Sequence, residues 1–254
     1  MKVSIITITF NPGELLDRTA QSILCQSSKD FEWLIIDGNS SDNTIEKVQK
    51  YIPFLEKSRQ VRWISEPDNG IYDAMNKGLR LAKGDYVWFV NAGDIIASLE
   101  TLESIFKSIP SGKMTPDFIY GETLIVDKAG AVMGERRLKA PKNLTWKSFR
   151  MGMLVCHQSM LVKRTLAPEY DLNYRYSSDF EWTIRCLKKA SFIHNSGLVL
   201  SHFLDGGVSK KKMKASLKER FNIMVQYYGW LPTVLRHFWF VCRAAWFKLI
   251  NGWI

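Results

Sequence analysis

Residues 3–14, VSIITITFNPGE, decide the architecture. Val3 to Thr9 is apolar and β-branched almost throughout, the composition of a buried strand. It runs without a linker into Asn11, Pro12, Gly13 and Glu14, which is the chemistry of a helix start. Asn11 can cap, Pro12 suits the first turn, and Glu14 stands three residues after the cap. A strand therefore feeds directly into a helix, whose apolar residues recur at Leu16, Ala20, Ile23 and Leu24.

The same alternation continues outward from that start. A strand over Trp33 to Ile36 ends at Asp37 and Gly38, and Asp42 is placed to cap a second helix carrying Ile45, Val48 and Ile52. Val61 to Ile64 predicts a third strand, Ile71, Met75, Leu79 and Ala82 mark one face of a third helix that Gly84 stops, and Tyr86 to Val90 predicts a fourth strand. Short strand-helix alternation predicts a parallel, doubly wound α/β sheet, because the crossovers lay helices on its faces. Ligands of such sheets bind beyond the carboxyl ends of the strands. Polar residues gather at those ends: Thr9 and Asn11, Asp37, Glu66 and Asp68, Asn91 and Asp94. Beyond about residue 115 the alternation weakens, and a hairpin from Phe118 to Arg136 is predicted to turn at Asp127 to Gly130.

The 254 residues are 46% hydrophobic and 24% charged, which excludes a disordered chain and is enough for a sizeable core. No repeat of solenoid period and no low-complexity run occurs. The net charge of +10 is uneven: residues 1–204 carry 26 Lys+Arg against 23 Asp+Glu, and residues 205–254 carry 9 against 2. Cys25, Cys156, Cys186 and Cys242 have no paired spacing, so neither a zinc knuckle nor a disulfide scaffold is expected, and a reducing cytosol fits. The opening stretch has one basic residue and no small-residue cleavage site, so it reads as a strand rather than a signal peptide or a span. HExxH, GxSxG and P-loop patterns are absent, which argues against zinc peptidase, serine hydrolase and NTPase readings.

Two segments carry chemistry on their own. Asp37, after an apolar strand and before a glycine, can accept hydrogen bonds from a nucleobase or ribose, or can simply cap the following turn. Phe89 to Asp94 sets a carboxylate and an amide just past a buried strand, as a hard cation bridging a diphosphate requires; the alternative is a plain turn.

The strings SIITITFNPGELLDRTAQSIL, WLIIDGNSSDNT and SEPDNGIYDAMNKGLRLAKGDYVWFVNAGD, followed by VCHQSMLVKR, SSDFEWTIRC and DGGVS, resemble the bacterial inverting GT-A glycosyltransferases of the family 2 type, above all the O-antigen and surface-polysaccharide branch. That resemblance implies a GT-A, Rossmann-like fold over residues 1–205, with a nucleotide-binding half to about 115 and an acceptor half over 116–205. It further implies that Thr9, Asn11 and Asp37 hold the nucleoside, Asp37 toward uracil if the donor is a UDP-sugar, and that Asp68 and Lys77 lie near ribose and phosphate. Asp94 matches the last carboxylate of the motif for Mn2+ or Mg2+, with Asn91 and Gly93 where the wider superfamily has aspartates; His202 matches a histidine near the metal or diphosphate. Asp179 matches the general base, and His157 and Gln158 line the acceptor side.

The base has a physical requirement of its own. Inverting transfer is an in-line displacement, so one carboxylate must stand opposite the leaving diphosphate and within reach of the attacking hydroxyl. Asp179 and Glu181, two residues apart, cannot share a face, which leaves Glu181 as the lesser acceptor-side candidate.

Residues 206–254 read as a basic, aromatic-rich helical tail. Lys210, Lys211, Lys212, Lys214, Lys218 and Arg220 precede a helix on which Leu235, Phe238, Trp239, Cys242, Ala245, Trp246, Leu249, Ile250 and Trp253 share one face, and Arg236, His237, Arg243, Lys248 and Asn251 another. Its charges interrupt any run of spanning length, so it is expected to lie on an anionic membrane surface, with packing on the body or a dimer partner as the alternative. The sequence thus predicts a metal-dependent inverting enzyme, peripheral on the cytoplasmic face of the inner membrane, moving a sugar from a nucleotide-sugar donor to a lipid-linked glycan. No nucleic-acid partner is expected, and oligomerisation is left open. A silent sugar-nucleotide-binding scaffold is the rival reading, and a processive synthase is disfavoured because Gln226 to Trp230 has Gly229 where QxxRW needs arginine.

Overall fold

Seven apolar residues from Val3 to Thr9 form β1 at the centre of the sheet in a computed structural model, which describes residues 2–56, 60–112, 114–206 and 212–251. β2 (Phe31–Asp37) and β4 (Tyr86–Phe89) flank it in parallel, and β3 (Gln60–Ser65) extends the parallel run beyond β2. Helices α1 (Leu15–Leu24), α2 (Thr44–Glu56) and α3 (Ile71–Leu81) make the crossovers. The alternation of β1 sorts its side chains: Val3 and Ile5 join the core layer that includes Leu16, Ile23 and Val48, while Ile6 and Ile8 join the layer that includes Ala74 and Met75. α3 comes so close that a Cβ on Gly78 would lie 2.6 Å from Ile6 Cγ2.

The sheet does not stay parallel. β8 (Met160–Lys163) runs antiparallel between β4 and β6 (Phe118–Val126), and β9 (Ile193–Leu204) follows, parallel to β6. The short β5 (Ile95–Ile96) closes the order β3-β2-β1-β4-β8-β6-β9-β5, so the doubly wound expectation holds for the first half and gives way to a mixed sheet in the second. The predicted hairpin is present: β7 (Val132–Glu135) pairs with β6 across a turn in which Asp127 Oδ1 accepts from the backbone N–H of Ala129 and Ala131.

The helix start expected at Asn11 falls elsewhere. Asn11 and Gly13 adopt positive φ, at 46° and 58°, and α1 begins only at Leu15 with no side-chain cap. The Asn11 side chain serves a different helix: its Oδ1 accepts from the N–H of Ser41 at 2.8 Å and of Asp42 at 3.3 Å, just ahead of α2. Asp42 does cap α2, accepting from Thr44 N at 3.0 Å.

Helices α4 (Thr101–Lys107) and α5 (Ser178–Lys189) cover opposite core layers. The tail divides into α6 (Met213–Tyr228) and α7 (Trp230–Asn251). α6 belongs to the body, with Ile223, Met224 and Tyr228 buried in the larger core cluster. α7 rests on it through buried Thr233 and through His237, whose ring lies 5.0 Å from that of Phe221; His237 therefore faces inward and not onto a solvated polar face. Leu231, Leu235, Phe238 and Trp239 remain exposed. No helix among the described residues is long and apolar enough to cross a membrane. Gly207 to Ser209, Lys210, Lys211 and Trp253 lie outside the described residues.

Replacing Gly78 by Val would force α3 away from Ile6. Overpacking of this kind costs about 1–3 kcal/mol, so Gly78→Val is expected to lower the urea midpoint with an unchanged m-value.

Candidate active site

The carboxyl ends of β1 to β4 open on a cleft of about 1230 Å³. Thr9, Phe10 and Asn11 follow β1 into it, Gly38 and Asn39 follow β2, the loop Pro67 to Asp73 follows β3, and Asn91 and Ala92 follow β4. Leu172, Tyr174 and Arg175 close the far wall from the loop before α5. Thr9, Asn11, Asp68 and Asn91 thus stand together as the sequence predicted. Thr9 Oγ1 and Asn91 Oδ1 are buried without any hydrogen-bond partner. Leaving such atoms unmatched costs on the order of 1–3 kcal/mol each, and a polar ligand in the cleft removes that cost.

Asp37 is the support beneath this wall. It is 1% exposed, and its carboxylate accepts from Ser40 N at 2.9 Å and from Ser65 Oγ at 2.6 Å, tying the ends of β2 and β3 together. Asp68 accepts from Gly70 N at 2.8 Å and lies so close over the end of β2 that a Cβ on Gly38 would collide with its carboxylate. Lys77 does not line the cleft. Its ammonium donates to Pro67 O at 2.7 Å and pairs with Glu66 at 2.9 Å, so it fixes the loop that carries Asp68.

Asn91 and Asp94 flank a turn in which Gly93 has φ 102°, and a Cβ there would press 2.8 Å from Leu204 Cδ2. Asp94 is buried, accepts from Leu204 N at 3.0 Å, and takes a further hydrogen bond from the Gln158 side chain. Burial pushes its carboxyl up to about 7 against the pull of those donors and of the Arg18 guanidinium. Arg18, which sequence reasoning passed over, donates to Gly93 O at 2.8 Å and to Asp127 O at 3.1 Å, bracing the turn against the β6–β7 hairpin. His202 is half-buried on β9 opposite Ile95, and burial lowers its pKa, which keeps the imidazole neutral. Among the described residues no three His, Cys, Asp or Glu side chains converge on a metal position. The residues present still fit a cation that takes most ligands from phosphate and water, because Asp94 offers a carboxylate lacking full compensation and Asn91 an amide oxygen lacking a donor.

The other end of the cleft is organised by Asp179, in the first turn of α5. Its Oδ1 accepts from the hydroxyl of cleft-lining Tyr72 at 3.0 Å and from Phe180 N at 2.9 Å. Burial and the adjacent carboxylate raise the Tyr72 phenol well above its ordinary value, so it stays a donor. Behind it, Tyr72 stacks on Tyr170, whose ring stacks on Trp182 at 4.9 Å, and Asn76 clamps the Tyr170 backbone in both directions, at 3.0 and 2.6 Å. Tyr72 was missed because its helix reads as an amphipathic crossover; only its place three residues past Asn69 hinted otherwise.

The acceptor-side residues expected beside Asp179 are set back from the cleft. His157 is buried against Phe89 and Trp182 and bonds Tyr170 Oη at 2.7 Å. Gln158 is buried and spans between Cys156 and Asp94. Glu181 faces away, as the two-residue offset from Asp179 predicted: it pairs with Arg185 at 2.8 Å and accepts from Tyr227 on α6. The four cysteines are free thiols.

Residues 4–163 match the family Glycosyl transferase family 2. The chain belongs to that family. It is 28% identical over 262 residues to a "PGL/p-HBAD biosynthesis glycosyltransferase" of Mycobacterium bovis, covering 98% of this chain and 96% of the relative. An uncharacterised glycosyltransferase of Mycobacterium tuberculosis is 30% identical over 188 residues, covering 72% of this chain and 68% of its own length. Among solved structures, S. aureus TarS 1-349 in complex with UDP-GlcNAc superposes with a TM-score of 0.68 at 19% identity, over 94% of this chain and 73% of that one. The mannosyltransferase PcManGT of Pyrobaculum calidifontis, in complex with GDP-Man and Mn2+, gives 0.64 at 15% identity over 89% and 64%. The fold is therefore GT-A, and the chain is a family 2 glycosyltransferase.

His157 provides a test of the packing behind the site. Burial lowers its pKa from 6.5 to about 4. The unfolded chain therefore binds the extra proton first, and stability is full above pH 6.5 and declines as pH falls toward 4. At about 1.4 kcal/mol per unit the loss approaches roughly 3 kcal/mol. His157→Gln is expected to flatten this part of the stability profile, measured by urea melts at pH 7 and pH 4.5.

Proposed function

We propose that this glycosyltransferase moves one sugar, with inversion, from a nucleotide-diphosphate donor to a hydroxyl of a lipid-linked oligosaccharide, in building a bacterial surface polysaccharide of O-antigen or capsule type. The observation that carries the chemistry is the Asp179 carboxylate beside a cleft whose opposite wall holds the unpartnered Thr9 and Asn91 oxygens. Tyr72 and Phe180 N occupy Oδ1 of Asp179, which orients the carboxylate and leaves Oδ2 to take the proton of the acceptor hydroxyl. As that proton moves, the hydroxyl oxygen bonds the anomeric carbon and the bond from that carbon to the diphosphate oxygen breaks on the opposite side. One carboxylate is enough, since no acid need protonate a diphosphate whose charge is neutralised.

The nucleoside rests between the loops after β1, β2 and β3, on Thr9, Asn11 and Asp68, with Asp37 holding the floor. A UDP-sugar is the favoured donor, supported by the fold shared with a UDP-GlcNAc-bound protein. Mn2+ or Mg2+ would be held by Asp94 and Asn91, with His202 on the neighbouring strand, and when bound supplies positive charge to the departing diphosphate. Arg175, the one cation lining the cleft among the described residues, adds to that neutralisation. The exposed Leu231, Leu235, Phe238 and Trp239 on α7, in a segment with nine basic and two acidic residues, support docking on the cytoplasmic face of an anionic inner membrane.

Asp179→Asn is expected to retain donor binding in calorimetry while transfer falls about a hundredfold to ten-thousandfold; Tyr72→Phe should lower kcat less, with the donor KM unchanged. Undiminished turnover by Asp179→Asn would remove Asp179 from the role. Chelator should abolish turnover and excess Mn2+ restore it; persistence in chelator would leave neutralisation to Arg175. Leu235→Gln with Phe238→Gln should shift the protein from the pellet to the supernatant in vesicle cosedimentation without altering donor binding.

A further inference from the structure

The start of α7 meets the body through Thr233 and His237 and leaves Leu231, Leu235 and Phe238 exposed, and a small cavity lies on the flank between the two. The Trp146–Met151 turn, α6 and α7 enclose about 50 Å³ there, lined by Arg150, Arg236, Met224, Tyr228, Pro232 and Thr233. A water needs about 10–15 Å³ by the same measure, so the space holds roughly three or four waters, the bulk of one phosphate group. Two guanidinium groups line it and no carboxylate does. Arg150 Nε is buried without an acceptor, and the guanidinium lies 5.2 Å from the centre of the Tyr228 ring. Neither arginine enters an ion pair among the described residues. The Thr233 hydroxyl gives its proton to Gly229 O at 2.8 Å, and among the described residues no carboxylate meets either guanidinium.

Two like charges facing an unfilled space call for an acceptor-only anion with several oxygens, and planar guanidinium forks match phosphate. Location selects its source. Pro232 and Arg236 stand one helical flank away from exposed Leu231, Leu235 and Phe238, and a helix resting at the acyl boundary on that apolar side holds its flanks at the depth of the lipid phosphates.

We propose that Arg150 and Arg236 form a binding site for the headgroup phosphate of an anionic membrane lipid, which sets how α7 lies on the bilayer. This rests on the reading of α7 as an interfacial helix. The site adds a specific, geometric contact to what would otherwise be diffuse attraction between a basic segment and a charged surface.

Charge-conserving substitution separates the two. Full-length protein is cosedimented with phosphatidylglycerol-containing vesicles and with pure phosphatidylcholine vesicles, and inorganic phosphate is titrated in a thermal-shift assay. Arg236→Lys and Arg150→Lys keep every charge but lose the fork; each is expected to weaken binding to phosphatidylglycerol about tenfold, as the loss of one good charge-assisted pair. Neither should alter binding to phosphatidylcholine, and both should lose the stabilisation that phosphate gives the wild type. Lys214→Gln, an exposed charge distant from the cavity lining, should cost only the general surface attraction, about fivefold. Arg236 is the decisive position if Arg150→Lys disturbs the contact with Tyr228. Wild-type affinity of Arg236→Lys for phosphatidylglycerol overturns the site. Equal affinity of the wild type for both vesicle types overturns it as well while leaving the interfacial helix standing. Phosphate stabilisation with no binding to any vesicle overturns the lipid as the ligand and the membrane reading together.

Discussion

The cleft depends on a register. β1, β2 and β3 pair in parallel so that Thr9, Asp37 and Ser65 stand side by side at one level of the sheet. Three chain segments therefore leave the sheet together and must be kept from collapsing onto one another. The Asp37 carboxylate does this, since it accepts from Ser65 at the end of β3 and from Ser40 in the turn after β2. Asn11 reaches across from the end of β1 to the same turn through Ser41 N. The loops that face a ligand are thus held by short polar contacts beneath them, which leaves Thr9 Oγ1 and the far face of Asp68 uncommitted.

Charges buried elsewhere in the body are treated differently. Glu32 is fully buried yet accepts from Ser4, Lys83 N and Gly84 N and pairs with Arg62 at 2.6 Å, so each of its oxygens is occupied. Its pKa is lowered, the donors outweighing the burial that opposes them. Asp94 has fewer partners and the opposite shift, with burial prevailing. Of these two buried carboxyls, Asp94 is the less compensated.

Much of this arrangement was legible because it rests on periodicity. The four parallel strands, the three crossover helices and the hairpin at Asp127 follow from local patterns of apolar residues and turn chemistry, and the clustering of Thr9, Asn11, Asp68 and Asn91 follows from where such strands end. What escaped the sequence was partnership across space. Asn11 has the composition of a helix cap, yet its side chain ties down the turn that leads into the neighbouring helix instead of capping its own, because the chain turns left-handed at Asn11 and Gly13 before α1 can begin. Lys77 and His157 carry reactive groups but spend them on Pro67 O and on Tyr170. Tyr72, an ordinary aromatic on an amphipathic helix, meets Asp179 across 107 residues of chain. Such long-range pairs leave no periodic trace. The tail shows the same limit: its apolar stripe was evident, but which side of α7 meets the body is set by Phe221 and Thr233, and this turned His237 inward.

The tail is also less separable than its composition implies. Glu219 on α6 accepts from Arg175 N at 2.9 Å and from Tyr176 N at 2.8 Å, Ser216 meets the Ser177 hydroxyl at 2.9 Å, and Gln226 accepts from Tyr174 at 2.9 Å. Tyr227 adds a bond to Glu181, one turn into α5. These contacts fall on both sides of Asp179, so the segment that presents this carboxylate to the cleft is held in place by α6 as much as by the sheet. An exposed loop before a helix would otherwise move on the timescale of loops, and these bonds hold the entry to α5 rigid instead. α6 supplies that rigidity, and α7 follows it after the single residue Gly229.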